Sequence, residues 1–187
     1  MICESYPWKR DLMRRRSLIL RYNTAEKLPH YDADKTYTII EKAIFYSAFI
    51  IRKLIDCPGK MSDEVDHYRI KVEARTPLKK IDILNRWPDE DSHDWEHFST
   101  REVDAKDVCN WLIHSFIFSL CTDESEAFVG FFVASDYDRN KLLYYVKLQD
   151  WITYIDFVAS DSVVELCSQY DEKKRERVYV RKKRGSR

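Results

Sequence analysis

Apolar residues recur at helical intervals in the first third of the chain. In residues 8–22 they alternate with arginines, which predicts a basic amphipathic helix. Residues 37–55 are apolar around most of the helical circumference and stop before a Pro58-Gly59 pair. They predict a second helix, separated from the first by a break at residues 23–29, and we expect it to form the spine of the core.

In the middle of the chain the hydrophobic period changes. Residues 68–75 alternate apolar and charged side chains, which predicts a half-exposed strand. A short apolar segment, 81–87, and a polar surface loop, 88–100, follow. From Asp104 to Phe116 apolar residues return at helical spacing, and we expect this third helix to pack on the second.

The C-terminal third is rich in aromatic and β-branched residues. Segments 128–133 and 142–146, joined by a turn-forming linker, predict two adjacent antiparallel strands. Residues 151–158 have helical spacing but a β-prone composition, so a helix and a third strand both fit. Two further short strands are predicted at 163–167 and 177–181.

These elements predict an α+β fold in which a helical N-terminal half packs on a small, mainly antiparallel C-terminal sheet. A chain of 187 residues is long enough for one hydrophobic core. We therefore expect a single α+β domain over residues 1–172. Residues 173–187 are interpreted as a basic tail that is partly disordered or ends in a short strand.

The cysteines and the lengths of the apolar runs indicate the cellular compartment in which the protein is expected. The five cysteines are scattered and form no CxxC pair, which favours a reducing cytoplasm over a disulfide framework or a zinc ribbon. The N-terminus lacks the apolar stretch of a secretory signal, and the longest apolar run, residues 43–51, is about half of what a bilayer requires. We expect a cytoplasmic protein that does not insert into a membrane.

The charge distribution permits contact with an acidic partner or head-to-tail self-association, and a solvated basic tail is the alternative interpretation. Lys plus Arg and Asp plus Glu each number 32, yet residues 173–187 carry nine cations against one Glu, while residues 89–96 are acidic. Basic segments interleaved with aromatic residues can neutralise phosphates and stack on bases, so nucleic acid is one candidate partner. The candidate nucleic-acid-binding residues are Arg14, Arg15, Arg16, Lys173, Lys174, Arg175, Arg181, Lys182, Lys183 and Arg184.

A possible metal motif lies in the acidic stretch. His93, Glu96 and His97 have the H-x-x-E-H spacing of inverted zinc peptidases, in which two histidines bind the metal and the Glu activates water. In those enzymes the motif sits on a buried helix, whereas here it lies in a predicted surface loop. A chance match is the alternative interpretation.

A possible catalytic pair lies on the third helix, where Asn110 and His114 are one turn apart. The six residues 109–114 resemble the R-N-x-x-x-H signature of the HEPN-superfamily helical ribonucleases, in which Arg and His act together on the RNA backbone. Cys109 stands at the position of the family's Arg, and Arg52 on the second helix could supply the missing cation. A hydrogen-bonded core histidine is the alternative role for His114.

The leading hypothesis is a non-enzymatic cytoplasmic interaction or regulatory protein whose basic ends contact an acidic partner. A nuclease or other hydrolase, using His114, Asn110 and Arg52 or a metal at His93 and His97, is the first alternative. A structural homo-oligomer formed through exposed aromatic residues is the second. Gly-rich phosphate loops and G-x-S-x-G elbows are absent, so no cofactor is predicted.

Overall fold

The structure is a computed structural model that describes residues 2–23 and 33–185. Residues 24–29 of the predicted break and the last two residues of the predicted tail lie outside these ranges, whereas Asn23 is described as the residue that follows α1. Within them the chain forms five helices. They are α1 (Ser5–Tyr22), α2 (Ala33–Ile55), α3 (Asp63–Asp66), α4 (Ala105–Ile113) and α5 (Leu148–Ala159).

The described residues also form seven strands in two antiparallel sheets, one of five strands in the order β2-β1-β5-β4-β3 and one hairpin, β6-β7. The helices lie mostly in the N-terminal part and the sheets in the C-terminal part, which confirms the α+β prediction. The strands are β1 (Arg69–Arg75), β2 (Ser99–Asp104), β3 (Ser115–Thr122), β4 (Phe128–Ser135), β5 (Leu143–Lys147), β6 (Val163–Asp171) and β7 (Glu176–Arg184).

The main core lies between α2, α4 and α5 and one face of the large sheet. On α2, Ile40, Ile44, Ile51 and Leu54 are fully buried, and their spacing of three, four and seven residues places them on one side of the helix. Val72, on β1, contributes to the same core from the sheet. The prediction that the second helix forms the spine of the core is confirmed.

The ambiguous segment 151–158 is helical and belongs to α5. Trp151 decides its packing, because this ring is fully buried and its Nε1 donates a hydrogen bond of 3.0 Å to Ser47 Oγ on α2. The Ser47 hydroxyl in turn donates to the Ile44 carbonyl at 2.7 Å. The Ser47 hydroxyl, in the middle of the apolar helix, therefore acts both as a hydrogen-bond donor and as an acceptor.

The second face of the large sheet is covered in part by the long connection between β1 and β2. Ile81 from this connection is buried against Ile117 and Leu143 of the sheet. Asn140, in the turn before β5, holds it there through hydrogen bonds between its side-chain amide and the backbone N–H and carbonyl of Ile81, at 2.8 and 3.4 Å. The connection is therefore an ordered layer on the sheet.

Several predicted boundaries are wrong. The third helix ends at Ile113 rather than Phe116, because β3 begins at Ser115 and buries Ile117 by pairing with β4. Strand β2 falls partly within the predicted loop 88–100. The sequence does not indicate this strand, because Ser99 to Glu102 are exposed and show no alternation.

Candidate functional site

The two ends of the described chain meet at one groove of about 880 Å³, called here the α1 groove. One wall is the first half of α1, and the other is the junction between α5 and β6. The turn after α2 and the end of β7 close it. Its lining consists of Ser5, Tyr6, Lys9, Arg10, Met13, Gly59, Lys60, Ala159, Ser160, Asp161, Ser162, Val163, Val164 and Gly185.

The lining of the α1 groove carries more positive than negative charge. Lys9, Arg10 and Lys60 contribute three cations, while Asp161 is the one carboxylate of the lining and its side chain is fully buried. The α1 N-terminus also lies in the groove, with no side chain capping it and no acidic residue in its first turn. The helix dipole adds to the positive potential, while the exposed carboxylate of Glu4 at the N-cap position opposes it.

The groove also exposes apolar surface. Tyr6 is 70% exposed, and Met13 and Val164 are exposed beside it. Gly59 forms part of the wall with a positive φ of 76°, and a Cβ at this position would lie only 3.1 Å from the Tyr179 ring of β7. The arrangement suits a ligand with negative groups and flat or apolar parts.

Asp161 organises the floor of the groove. Its carboxylate accepts hydrogen bonds from the backbone N–H of Ser62 at 3.0 Å and from the Ser62 hydroxyl at 2.6 Å, and it lies 3.7 Å from Arg184 Nε. Burial lowers the pKa of Lys9, with Asp161 opposing and Arg184 reinforcing this shift. The Lys9 ammonium donates to the Asp161 carbonyl at 2.7 Å, so it is fixed at the groove wall.

The candidate cations at the end of β7 hold the hairpin on the body. Arg184 donates to the Phe157 carbonyl at 3.2 Å and to Ser160 Oγ at 2.8 Å, and its guanidinium stacks on the Phe157 ring. Lys182 pairs with Asp63 and Asp66 of α3. These contacts of Arg184 and Lys182 attach β7 to α5 and α3.

Other candidate cations lie along the rest of the hairpin. Arg181 pairs with Glu165 at 3.5 Å across the two strands. Asp171 shapes the turn by accepting hydrogen bonds from two backbone N–H groups, and Arg175 there has a φ of 54°. The remaining candidates are exposed, and no ion pair joins them to a described residue. They are Lys173, Lys174, Arg175 and Lys183.

The three consecutive arginines of α1 differ in role. Arg15 lies 3.3 Å from Asp11 and over the Tyr46 ring, and Arg16 lies 2.6 Å from Asp156 of α5, so both bind the helix to its neighbours. Arg14 is largely exposed, with Asp11 3.9 Å away. Of the three, only Arg14 presents its charge mainly to solvent.

The structure does not gather the predicted metal ligands. His93 is buried and His97 is exposed in a loop, where His97 Nδ1 contacts the Asp94 carboxylate at 3.2 Å, and Glu96 is exposed. No group of three or more His, Cys, Asp or Glu side chains suited to a metal occurs in residues 2–23 and 33–185.

His93 has a structural environment. The Ser92 hydroxyl donates its hydrogen to the Asp89 carbonyl at 2.7 Å. Because that hydrogen is already used, Ser92 Oγ accepts a hydrogen bond from His93 Nδ1, which lies 2.8 Å away. The other ring nitrogen, Nε2, is buried and has no hydrogen-bond partner among the described residues. Burial lowers the pKa of His93 to about 4, so the ring is neutral at pH 7.

We expect the stability of the protein to fall as the pH falls from about 7 to about 4. The unfolded chain protonates His93 near its usual pKa of about 6.5, whereas the folded chain resists protonation until about 4. This difference stabilises the fold above pH 6.5 by up to about 3 kcal/mol, and the stabilisation is lost on acidification. Urea unfolding across this range should show a shallower pH dependence for His93→Gln than for the wild type. His114→Gln is the control, and parallel curves for His93→Gln and the wild type would contradict the assignment.

The predicted catalytic residues lie on packed elements, and Arg52 of α2 is near enough to α4 to act electrostatically on the Cys109 thiol. His114 is exposed just after α4, and its backbone N–H donates to the Asn110 carbonyl at 3.0 Å, whereas Arg52 pairs with Asp56 at 3.0 Å. No hydrogen bond or ion pair joins the three side chains within the described part of the chain. At the position of the family's Arg, Cys109 is fully buried and burial raises the pKa of its thiol.

A buried arginine, Arg75, lies on the second face of the large sheet. Arg75 donates to Glu73 at 2.8 Å, and its guanidinium lies 4.8 Å from the Phe98 ring centre, 5.3 Å from Phe132 and 5.8 Å from Trp95. The alternation of residues 68–75 already placed Arg75 opposite the core face. Its aromatic neighbours come from distant segments, so their position could not be predicted. The cluster holds the β1–β2 connection on the sheet.

Comparison with protein-family models, with curated proteins and with solved structures found no match to this chain. None of the helices in the described ranges is long and apolar enough to span a membrane.

Proposed function

We propose that this chain is a non-enzymatic binding protein that holds single-stranded nucleic acid in the α1 groove and along the β6-β7 hairpin. The observation that carries the proposal is the charge of the groove, where Lys9, Arg10 and Lys60 face a lining whose single carboxylate is buried and paired. Phosphates binding there would release condensed counterions, which favours association at low salt.

The exposed rings favour a single strand over a duplex. Tyr6 lies in the groove, and Tyr179 is 44% exposed at the Gly59 wall. Aromatic side chains stack on unpaired bases, which a duplex does not present. The hairpin extends the basic surface, because four of its candidate cations are exposed and no ion pair joins them to a described residue. They are Lys173, Lys174, Arg175 and Lys183.

The cysteines support action in the reducing cytoplasm. All five are free, and Cys57 and Cys109 are buried in the core as small apolar residues. This placement needs no oxidising compartment.

Reversing two groove charges should weaken binding. In Arg10→Glu/Lys60→Glu we expect the affinity for a single-stranded oligonucleotide to fall by about tenfold to hundredfold, because two phosphate-facing cations become repulsive. Fluorescence anisotropy with the full chain measures this directly.

The matched control is Lys42→Glu/Lys71→Glu, which changes the net charge equally at two exposed positions away from the groove. Equal losses in both double variants would show that the groove is not the binding site. The same incubations report on the enzyme alternative. If the wild type cleaves the oligonucleotide and His114→Ala does not, the hydrolase hypothesis replaces this proposal.

A further inference from the structure

The connection between β1 and β2 contains an ordered, exposed apolar turn. Ile83 is 76% exposed and Leu84 is 90% exposed. The backbone around them is nevertheless fixed, because Asp82 Oδ1 accepts from the Leu84 N–H at 2.9 Å and Asn85 Oδ1 accepts from the Asp82 N–H at 2.6 Å. Trp87, also exposed, follows on the same turn.

Closure of the loop base makes this turn a fixed projection. Lys79 and Asp89 form an ion pair at 3.1 Å, and the Leu78 N–H donates to the Ser92 carbonyl at 2.9 Å. Ile81 anchors the inner side of the loop on the sheet. Contiguous apolar surface of this kind marks a contact site more often than a lone exposed side chain does.

The loop that carries the turn has a net negative charge, because residues 79–96 contain six Asp and Glu against Lys79, Lys80 and Arg86, although the Arg86 guanidinium lies 5.5 Å from the Trp87 ring centre. Residues 89–96 contain five Asp and Glu and no Lys or Arg. Asp89, Glu90, Asp91 and Glu96 of this stretch are exposed. A complementary acceptor must therefore combine apolar surface with positive charge.

We infer that the turn at Ile83, Leu84 and Trp87 docks into the α1 groove of a second copy of this chain. The groove supplies the apolar surface of Tyr6, Met13 and Val164 and the three cations that the acidic stretch requires. Opposite charges on the two surfaces steer the copies together. They favour contact between a turn and a groove over contact between two turns or two grooves. A reciprocal pair closes into a dimer, whereas a one-way contact continues into longer chains.

This inference uses the same groove as the proposed function but does not depend on nucleic acid. Both ligands are acidic and occupy one volume, so they exclude each other. Self-association is expected to decrease when a single-stranded oligonucleotide is bound.

Sedimentation velocity of the full chain across a concentration series tests the contact. The wild type should associate at low salt and dissociate as salt is raised. Ile83→Ser/Leu84→Ser should weaken association by at least about tenfold, because it removes the centre of the contact. Both residues are already exposed, so the fold should not change, and Val129→Ser, at an exposed site on β4, is the control.

A mixing experiment gives the sharper result. Ile83→Ser/Leu84→Ser keeps an intact groove, and Arg10→Glu/Lys60→Glu keeps an intact turn. Each should be monomeric alone, and the equimolar mixture should form one-to-one complexes. A monomeric wild type at all concentrations, or a mixture that stays monomeric, would overturn the inference.

Different experimental results would refute the nucleic-acid proposal and the docking proposal. Ile83→Ser/Leu84→Ser should bind the oligonucleotide as well as the wild type does, because neither residue lines the groove. A wild type that binds nucleic acid without self-associating refutes only the docking contact. A wild type that self-associates through the turn without binding nucleic acid refutes only the proposed function.

Discussion

Replacing Trp151 by alanine is expected to lower the free energy of unfolding by about 3–5 kcal/mol. The indole is fully buried and packs edge-on against Phe131 at 6.1 Å and beside Tyr154 at 5.8 Å. Its removal leaves a large cavity between α2, α5 and the sheet and deprives Ser47 Oγ of its donor. Urea unfolding at pH 7 measures the loss.

A second tryptophan provides the control. Trp87 is 61% exposed, so Trp87→Ala should change the free energy of unfolding by no more than about 0.5 kcal/mol. Ser47→Ala should have a smaller effect than Trp151→Ala, because it removes a hydrogen bond but little volume. A loss below about 1 kcal/mol for Trp151→Ala would contradict the described packing of α5.

Replacing Asp161 by alanine should destabilise the protein by a similar amount, about 3–5 kcal/mol. The change removes the acceptor of both Ser62 groups and leaves the mostly buried Arg184 without its carboxylate. Because Asp161 connects α3 to the end of β7, the hairpin should lose its attachment first. Urea unfolding gives the total loss, and limited trypsin digestion at the basic β7 strand reports the detachment.

An exposed ion pair serves as the comparison. Asp136 lies 3.3 Å from Arg139 at the surface, and Asp136→Ala should cost less than about 1 kcal/mol. The double variant Asp161→Ala/Arg184→Leu should regain part of the stability lost in Asp161→Ala, since no buried charge is left unpaired. If Asp161→Ala were no worse than Asp136→Ala, the Asp161 contacts would not anchor the hairpin.

The elements that could be predicted from sequence are those whose burial is one-sided along the chain. α1 and β1 each have a clear hydrophobic period, and α2 is marked by its long apolar run. The β4-β5 pair is marked by its turn-rich linker and confirmed by the register Phe131 to Val146. β2 could not be predicted, because hydrogen bonds to β1 hold it while its side chains remain exposed. β3 was hidden by the apolar run that continues from α4 into the strand.

Only part of the candidate site could be predicted from the sequence. Charge alone identified the basic ends, but only folding shows that Lys182 and Arg184 are tied to carboxylates of the body while Arg10 faces a groove. Lys60 and Tyr6 carried no signal of their own, because their role arises from three segments that meet in space. The same holds for Asp161, whose partners Ser62 and Arg184 lie 99 and 23 residues away in the chain.

Binding of the wild-type chain to a labelled single-stranded oligonucleotide across a salt series tests the central claim most directly. With three groove cations contacting phosphates, the logarithm of the association constant should fall with the logarithm of the salt concentration with a slope of about −2 or steeper. Absence of binding at low salt, or an affinity that does not change with salt, would contradict the account.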